Sequence, residues 1–398
     1  MQKKLIAVAV AGALGVPAFA LAQTATVSVS GRMYVEYSYA NTGAGAGGTI
    51  NRVNSDVLQT PGSNISFQGE EKLGGNMSAW FKCESTAEVR GMSQDGFCGR
   101  NSAVGLKGAF GNAFVGNWHT PFTRARNTVG ANETGLWGTA ALLTGHSTTV
   151  SDGGSGAADP LRPQLFARRQ NHSIHYETPS FSGFQAMGMF SSANASTSKT
   201  QSAANKRTRI MSVAATYNNG PLKLSAGYEG HADFAANGAG ETGWLVGASY
   251  RFANRVTFGG MYTRQKWGSD TATASGSGRV NAWQLGIDWS LGGPHRILAA
   301  YTNAGDVKGG TNALGVNTST AIVGGLRTAA GADTGAYMIQ MRYQYALSKR
   351  TDWTVGFNRV KNDRNAGYGL NGYAPNGGVG PATGARHTGF GTAIDHRF

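Results

Sequence analysis

Glycine supplies 60 of the 398 residues, about twice its average share, and charged residues make up only 14% against about 25% in soluble domains. So little charge excludes long solvated helices, coiled coil and charge-driven disorder; ten prolines without a G-X-Y period exclude collagen, and two cysteines exclude a disulfide mini-scaffold. The formal net charge of +14 directs attention to partners and ions of negative sign.

Residues 1–4 form a short basic start, residues 5–16 an apolar run, and Ala20-Leu21-Ala22 a small-x-small site. This is the layout of a secretory signal peptide cleaved after Ala22. The apolar run is too short to cross a bilayer as a helix, and no later segment offers 18 uninterrupted apolar residues. Residues 23–398 are therefore expected to be exported without a helical anchor, and loss of Lys3 and Lys4 lowers the charge by two.

From residue 26 the hydropathy period is two. Val27, Val29, Met33, Val35, Tyr37 and Tyr39 fall on one face, and Ser28, Ser30, Arg32, Glu36 and Ser38 on the other. Ile65 and Phe67 alternate with Asn64, Ser66, Gln68 and Glu70; Trp244, Val246, Ala248, Tyr250 and Phe252 with Ser249 and Arg251. The same pattern sets Trp283, Leu285, Ile287, Trp289 and Leu291 against Gln284, Asp288 and Ser290. It sets Tyr337, Ile339, Met341, Tyr343, Tyr345 and Leu347 against Gln340, Arg342 and Gln344. Alternation of this kind marks strands whose two faces meet different solvents, and no window shows a helical stripe of equal clarity. The chain is expected to be nearly all β.

Seven tight links rich in Gly or Pro stand at 73–76, 109–111, 179–183, 218–221, 253–255, 292–295 and 348–350. Eight longer polar stretches alternate with them, at 41–62, 89–99, 119–168, 195–206, 233–241, 269–278, 307–334 and 364–386. Fifteen connections imply sixteen strands, the arrangement of a transmembrane β-barrel with short turns at one end and long loops at the other. The tight links exclude a parallel sheet, which needs a crossover between each pair of strands.

A soluble sandwich would bury the apolar face against a second sheet; a barrel turns it to lipid and lines water with the polar face. Lipid is favoured because Tyr37, Tyr39, Trp118, Trp244, Trp283, Trp289 and Trp353 sit near strand ends, where an interfacial girdle is needed. Phe390, Ile394 and the terminal Phe398 share a face in the last strand.

Three segments carry a specific resemblance. Residues 64–85, NISFQGEEKLGGNMSAWFKCES, resemble the second hairpin of the Gram-negative general porins. Residues 99–111, GRNSAVGLKGAFG, resemble the next one, and 171–184, NHSIHYETPSFSGF, also match, as does the ending in Phe398. The similarity spans the mature chain and is greatest to the β-proteobacterial group. It implies a sixteen-stranded antiparallel barrel, a homotrimer, and a third external loop folded inward to narrow the pore. The Pro-Glu-Phe-Gly-Gly segment that enterobacterial members carry in that loop is absent here.

Residues 119–168 are the longest connection and the candidate constriction loop; Arg124, Arg126, Glu133, Asp152 and Asp159 suit it to water. Pore selectivity comes from width and from clusters of charged side chains. Arg32, Lys82 and Arg342 fall on polar faces of the first, third and fourteenth expected strands, which closure brings within a few neighbours. They are the candidate basic patch, with Arg124 and Arg126 adding to it, and Glu133 is the candidate acidic loop residue facing the pore. The bland alternative is that each is a lumen residue paired with Glu36, Glu70 or Glu84.

Cys83 and Cys98 flank one connection and either form a disulfide in an oxidising periplasm or remain free thiols. Gly43-Ala-Gly-Ala-Gly-Gly48 fits G-x-G-x-x-G without a following helix and reads as loop. No metal site, cofactor motif, catalytic constellation or nucleic-acid motif is expected. The reading is a non-enzymatic outer-membrane channel for passive diffusion of small hydrophilic solutes and ions, with modest anion preference. Outer-membrane lipid and lipopolysaccharide are expected partners at the rim. A substrate-specific anion channel or a structural, adhesin-type barrel are the alternatives.

Overall fold

The computed structural model describes residues 26–44, 53–89, 96–129, 135–143, 166, 168–192, 209–232, 240–267, 277–309, 332–370 and 384–398. The leader at 1–22, together with Glu133, Asp152 and Asp159, lies outside the described residues. In chain order the strands begin with β1 (Thr26–Thr42), β2 (Val53–Gln59), β3 (Asn64–Gly74), β4 (Met77–Thr86), β5 (Ser102–Gly108) and β6 (Gly111–His119). After the long third connection come β7 (Arg169–Glu177), β8 (Phe184–Ser191), β9 (Arg209–Asn219), β10 (Leu222–Ala232), β11 (Glu241–Phe252) and β12 (Val256–Trp267). The chain ends with β13 (Gly278–Gly292), β14 (His295–Ala304), β15 (Lys308–Gly309), β16 (Ala336–Ala346), β17 (Thr351–Asn362) and β18 (Arg386–Arg397). Each of the seven expected tight links falls at a turn between consecutive strands.

All pairings are antiparallel and most join neighbours in sequence, and β1 pairs with β18 from Arg32↔Arg397 to Thr42↔His387, which closes the sheet. The seam includes the last residue: Gly31 and Phe398 exchange backbone hydrogen bonds at 3.0 and 3.1 Å.

The eighteen segments make a closed barrel of sixteen strands. β1 pairs with β2 through residues 36–42 and with β3 through residues 26–32, so β2 and β3 occupy one position in the wall. Residues 60–63 leave the ladder between them, and Ser63 spans the gap. Its hydroxyl accepts from the Tyr34 N–H and donates to the Tyr34 carbonyl, both at 2.9 Å. Residues 41–62, expected as one loop, therefore contain a strand: Val53, Val57 and Leu58 favour β structure, and the upper half of β1 needs a partner. In the same way β14 and β15 both lie along β13.

The period-two pattern sets the two faces. Val27, Tyr37, Tyr39, Trp244, Trp283, Leu285, Trp289, Trp353, Phe390 and Ile394 stand exposed on the outside. Glu36, Ser38, Ser212, Thr263, Gln284, Gln340 and Asn358 on the inner face are buried. No helix among the described residues is long and apolar enough to cross a membrane.

Trp118 departs from the expected girdle. Val115 faces outward, so alternation turns Trp118, three residues on, inward. There it meets Trp80 and Phe114, with ring centroids 5.9 and 5.3 Å away, and Phe114 stacks on His175 at 4.6 Å.

Candidate functional site

The connection between β6 and β7 carries helix α1 (Pro121–Val129), a single 3-10 turn (Gly135–Trp137) and helix α2 (Ala140–Leu143). Thr120 starts α1: its hydroxyl accepts the Thr123 N–H at 3.3 Å, and Pro121 takes the first helical position, where a missing N–H costs nothing. Phe122, Ala125 and Val129 share one stripe and are buried against β9, β10 and β11. The Phe122 N–H donates to Ser212 Oγ of β9 at 3.0 Å. At Gly247 of β11 a β-carbon would collide with the Val129 side chain, so glycine makes room for the helix.

The 3-10 turn meets a different part of the wall. Leu136 donates its N–H to Oε1 and Oε2 of Glu36 on β1, and its carbonyl accepts from Asn358 Nδ2 of β17 at 2.5 Å. A β-carbon at Gly389 of β18 would stand 2.5 Å from Leu136 Cδ1. Glu36 also accepts from Tyr34 Oη at 2.7 Å and Gln59 Nε2 at 2.5 Å, so the buried carboxylate is fully satisfied. The Leu143 carbonyl accepts from Thr263 Oγ1 and Gln265 Nε2 of β12, and Thr139 Oγ1 accepts from Gln284 Nε2 of β13 at 3.0 Å. On the return limb Phe166 stacks on His231 with centroids 4.8 Å apart, and the Arg168 carbonyl accepts the Thr120 N–H at 3.0 Å. The wall at β10 and the wall at β18 are seven barrel strands apart, nearly half the circumference.

The candidate basic residues separate into two groups. Arg32 and Arg342 both lie within electrostatic range of Tyr34. The Arg32 guanidinium is 4.8 Å from the Tyr34 ring centre and bonds Asp395 at 2.7 Å; that of Arg342 is 6.0 Å from the Trp137 ring of the 3-10 turn. Lys82 is not with them: it is level with Gln68 and hence with Ser28, four residues below Arg32. It pairs with Glu84 at 2.7 Å and stands 5.7 Å from the Trp118 ring.

Glu84 also takes Arg100 at 2.7 Å, and Arg124 pairs with Glu177. Arg100, Arg124, Arg126 and Arg169 all lie within electrostatic range of His119. This second group therefore joins Lys82, Arg124 and Arg126 to Arg100 and Arg169, which sequence reasoning passed over. Arg100 was visible only as part of a hairpin motif, and Arg169 lay at the end of the long loop. Glu36 was read as a polar-face residue; its role as an anchor needed the knowledge that Leu136 reaches it. Cys83 and Cys98 are joined Sγ to Sγ with Cα atoms 4.7 Å apart, and Cys83 shares the outward side of β4 with Phe81.

A closed antiparallel barrel, apolar outside and polar within, has the architecture of a channel through an outer membrane. A sequence profile for the Gram-negative porins matches residues 7–365. The chain belongs to that family. This porin is 27% identical to outer membrane porin protein 32 of Delftia acidovorans over 401 residues, covering all of both chains. It is 28% identical to the major outer membrane protein P.IB of Neisseria gonorrhoeae over 187 residues, 46% of each chain, so that alignment spans about half of this relative's length. The barrel superposes on the anion-selective porin from Comamonas acidovorans with a TM-score of 0.69 at 24% identity, covering 94% of this chain and 100% of that one. The porin is thus a multi-pass protein of the Gram-negative outer membrane and a passive channel, of a channel family rather than an enzyme family.

Proposed function

We propose that this channel favours anions, that residues 119–168 narrow it, and that it works as a homotrimer after loss of residues 1–22. The observation that carries the anion preference is the convergence of Arg100, Arg124, Arg126 and Arg169 on His119, with Lys82 joined to Arg100 through the carboxylate of Glu84 that both contact. Fixed positive charge concentrated on the wall and the first helix of the loop raises the local concentration of anions and lowers that of cations. Arg342, beside the 3-10 turn, and Arg32, over the Tyr34 ring and paired with Asp395, place further cations on another part of the wall. The narrowing reading is supported by hydrogen bonds from the loop to β9, β12, β13, β17 and β1, which hold it at several points of the circumference. The trimer is supported by the resemblance of residues 64–85 to the general porins.

The test is single-channel recording in planar bilayers under a KCl gradient. The zero-current potential is expected to take the sign of anion preference, and channels are expected to close in three equal steps. Neutralising Lys82, Arg124 and Arg126 together should shift the permeability ratio severalfold toward cations, and Arg32→Ala with Arg342→Ala should shift it the same way. A reversal potential unmoved by both sets, or cation preference in the unaltered protein, would overturn the reading.

A further inference from the structure

The outer surface carries a cationic cluster separate from the lumen. At the long-loop end of β11–β15, Trp244, Arg264, Lys266, Arg279 and Lys308 line a hollow of about 740 Å³. Alternation puts all five on the outward face: Arg264 and Lys266 follow Tyr262 on β12, and Arg279 shares its side of β13 with Trp283 and Leu285. The register stacks the charges. Lys266 is directly opposite Arg279, Arg279 is directly opposite Lys308, and Arg264 is opposite Trp244.

Like charges placed directly opposite on neighbouring strands repel, so this row is unfavourable unless something negative offsets it. Among the described residues nothing in the chain does. No carboxylate of the described residues stands within ion-pair distance of the four cations. Asp306, two residues before Lys308, turns its carboxylate to the N–H groups of Thr334 and Gly335 at 2.8 and 3.0 Å. Glu241, next to Thr242, faces inward and bonds His231 at 3.1 Å.

The position is as telling as the charge. From the tight turn upward, the outward side of β12 reads Val256, Phe258, Tyr262 and then Arg264; that of β13, followed upward, reads Leu291, Trp289, Ile287, Leu285, Trp283 and then Arg279 beyond Asn281. Eight residues of strand from Val256 to Arg264 advance about 26 Å. A barrel tilt of 35–45° shortens this to about 20 Å across the bilayer, close to the height of the apolar band of about 25 Å. The cations thus begin where the hydrocarbon ends, level with Trp244 and directly above Tyr262 and Trp283, at the height where aromatic rings meet headgroups. Because long loops face outward in outer-membrane barrels, this is the external leaflet.

We infer that Arg264, Lys266, Arg279 and Lys308 bind the phosphate groups of a phosphorylated glycolipid of the external leaflet, its acyl chains lying on the Trp244–Tyr262–Trp283 surface. The inference assigns residues to the lipopolysaccharide contact and rests on the outer-membrane reading, not on the anion preference. Basic clusters at a membrane rim attract anionic headgroups in this way, and the apolar lane below supplies what free phosphate lacks.

The experiment uses the full porin in detergent, with native mass spectrometry of complexes with lipid A bearing two phosphates or none. The unaltered protein is expected to retain the bisphosphorylated lipid, to bind the dephosphorylated one at least tenfold more weakly, and to keep its lipid in millimolar inorganic phosphate. Arg264→Gln, Lys266→Gln, Arg279→Gln and Lys308→Gln combined should lower retention at least tenfold. Lys349→Gln with Arg350→Gln, at the opposite end of the barrel, should leave it unchanged. If the fourfold variant does not fold, Lys266→Gln with Lys308→Gln is read the same way. Equal retention by the variant, equal binding of the lipid without phosphate, or displacement by inorganic phosphate would each overturn the inference. Single-channel conductance, which these residues outside the lumen should not alter, separates a failure here from a failure of the channel reading.

Discussion

Leu136 donates its backbone N–H to both carboxylate oxygens of Glu36, at 2.9 and 3.2 Å, across a separation of 100 residues. A buried carboxylate is costly unless its lone pairs are taken up, and here Tyr34, Gln59 and Leu136 take them up together. The bond ties the middle of the long loop to the first strand. Glu36→Ala removes the acceptor and leaves three buried donors unpaired, at about 1–3 kcal/mol for each. It is expected to lower the unfolding midpoint and to raise single-channel conductance with a noisier open state. Conductance equal to that of the unaltered channel would show that this tether does not set the loop's position.

Gly247 and Val129 make a paired test of helix α1. A side chain at 247 occupies the space of the Val129 side chain, so Gly247→Ala should push α1 off β11 and cost about 1–3 kcal/mol, the usual range for overpacking. Val129→Ala in the same protein frees that space and should recover most of the loss. The measurement is denaturant unfolding of the single and double variants; a double variant no better than Gly247→Ala alone would refute the contact.

The Cys83–Cys98 bridge closes a segment with a sequence separation of 15. A cross-link of that span restricts the unfolded chain by about 3 kcal/mol. Cys83→Ser with Cys98→Ser, or reduction of the unaltered protein, should lower the guanidinium midpoint accordingly and leave conductance alone, because Cys83 lies on the outward side of β4. A conductance change on reduction would contradict that placement.

Asp363, just beyond β17, is a pH-dependent liability. Burial, then the carboxylates of Asp306 and Asp333, raise its pKa above the ordinary value. A raised carboxylate favours the folded state while protonated, and that contribution is lost as pH rises through the folded-state pKa. At neutral pH the full repulsion is present. Asp363→Asn should therefore raise the unfolding midpoint at pH 7 and converge with the unaltered protein near pH 3. A difference independent of pH would assign the effect to packing instead of charge.

The strands were legible because alternation is local: each residue's face follows from its neighbours two away. The seven tight links followed from Gly and Pro at turns, and Val27, Trp244, Trp283 and Phe390 stand outward where their spacing placed them. The same rule, applied from Val115, would have put Trp118 inside; its aromatic character outweighed the count. Val53–Gln59 were hidden by the polar residues around them, since the need for a second half-strand arises only from the length of β1.

By itself the sequence determined a chain of amphipathic strands that must close around water, because every extended segment has one face for each solvent. Which charges share a site was decided only by the tertiary structure. Lys82 belongs with Arg100, Arg124, Arg126 and Arg169, while Arg32 and Arg342 both lie within electrostatic range of Tyr34. Those groupings depend on register, closure and the course of the long loop, and none of these is written in the spacing of neighbouring residues.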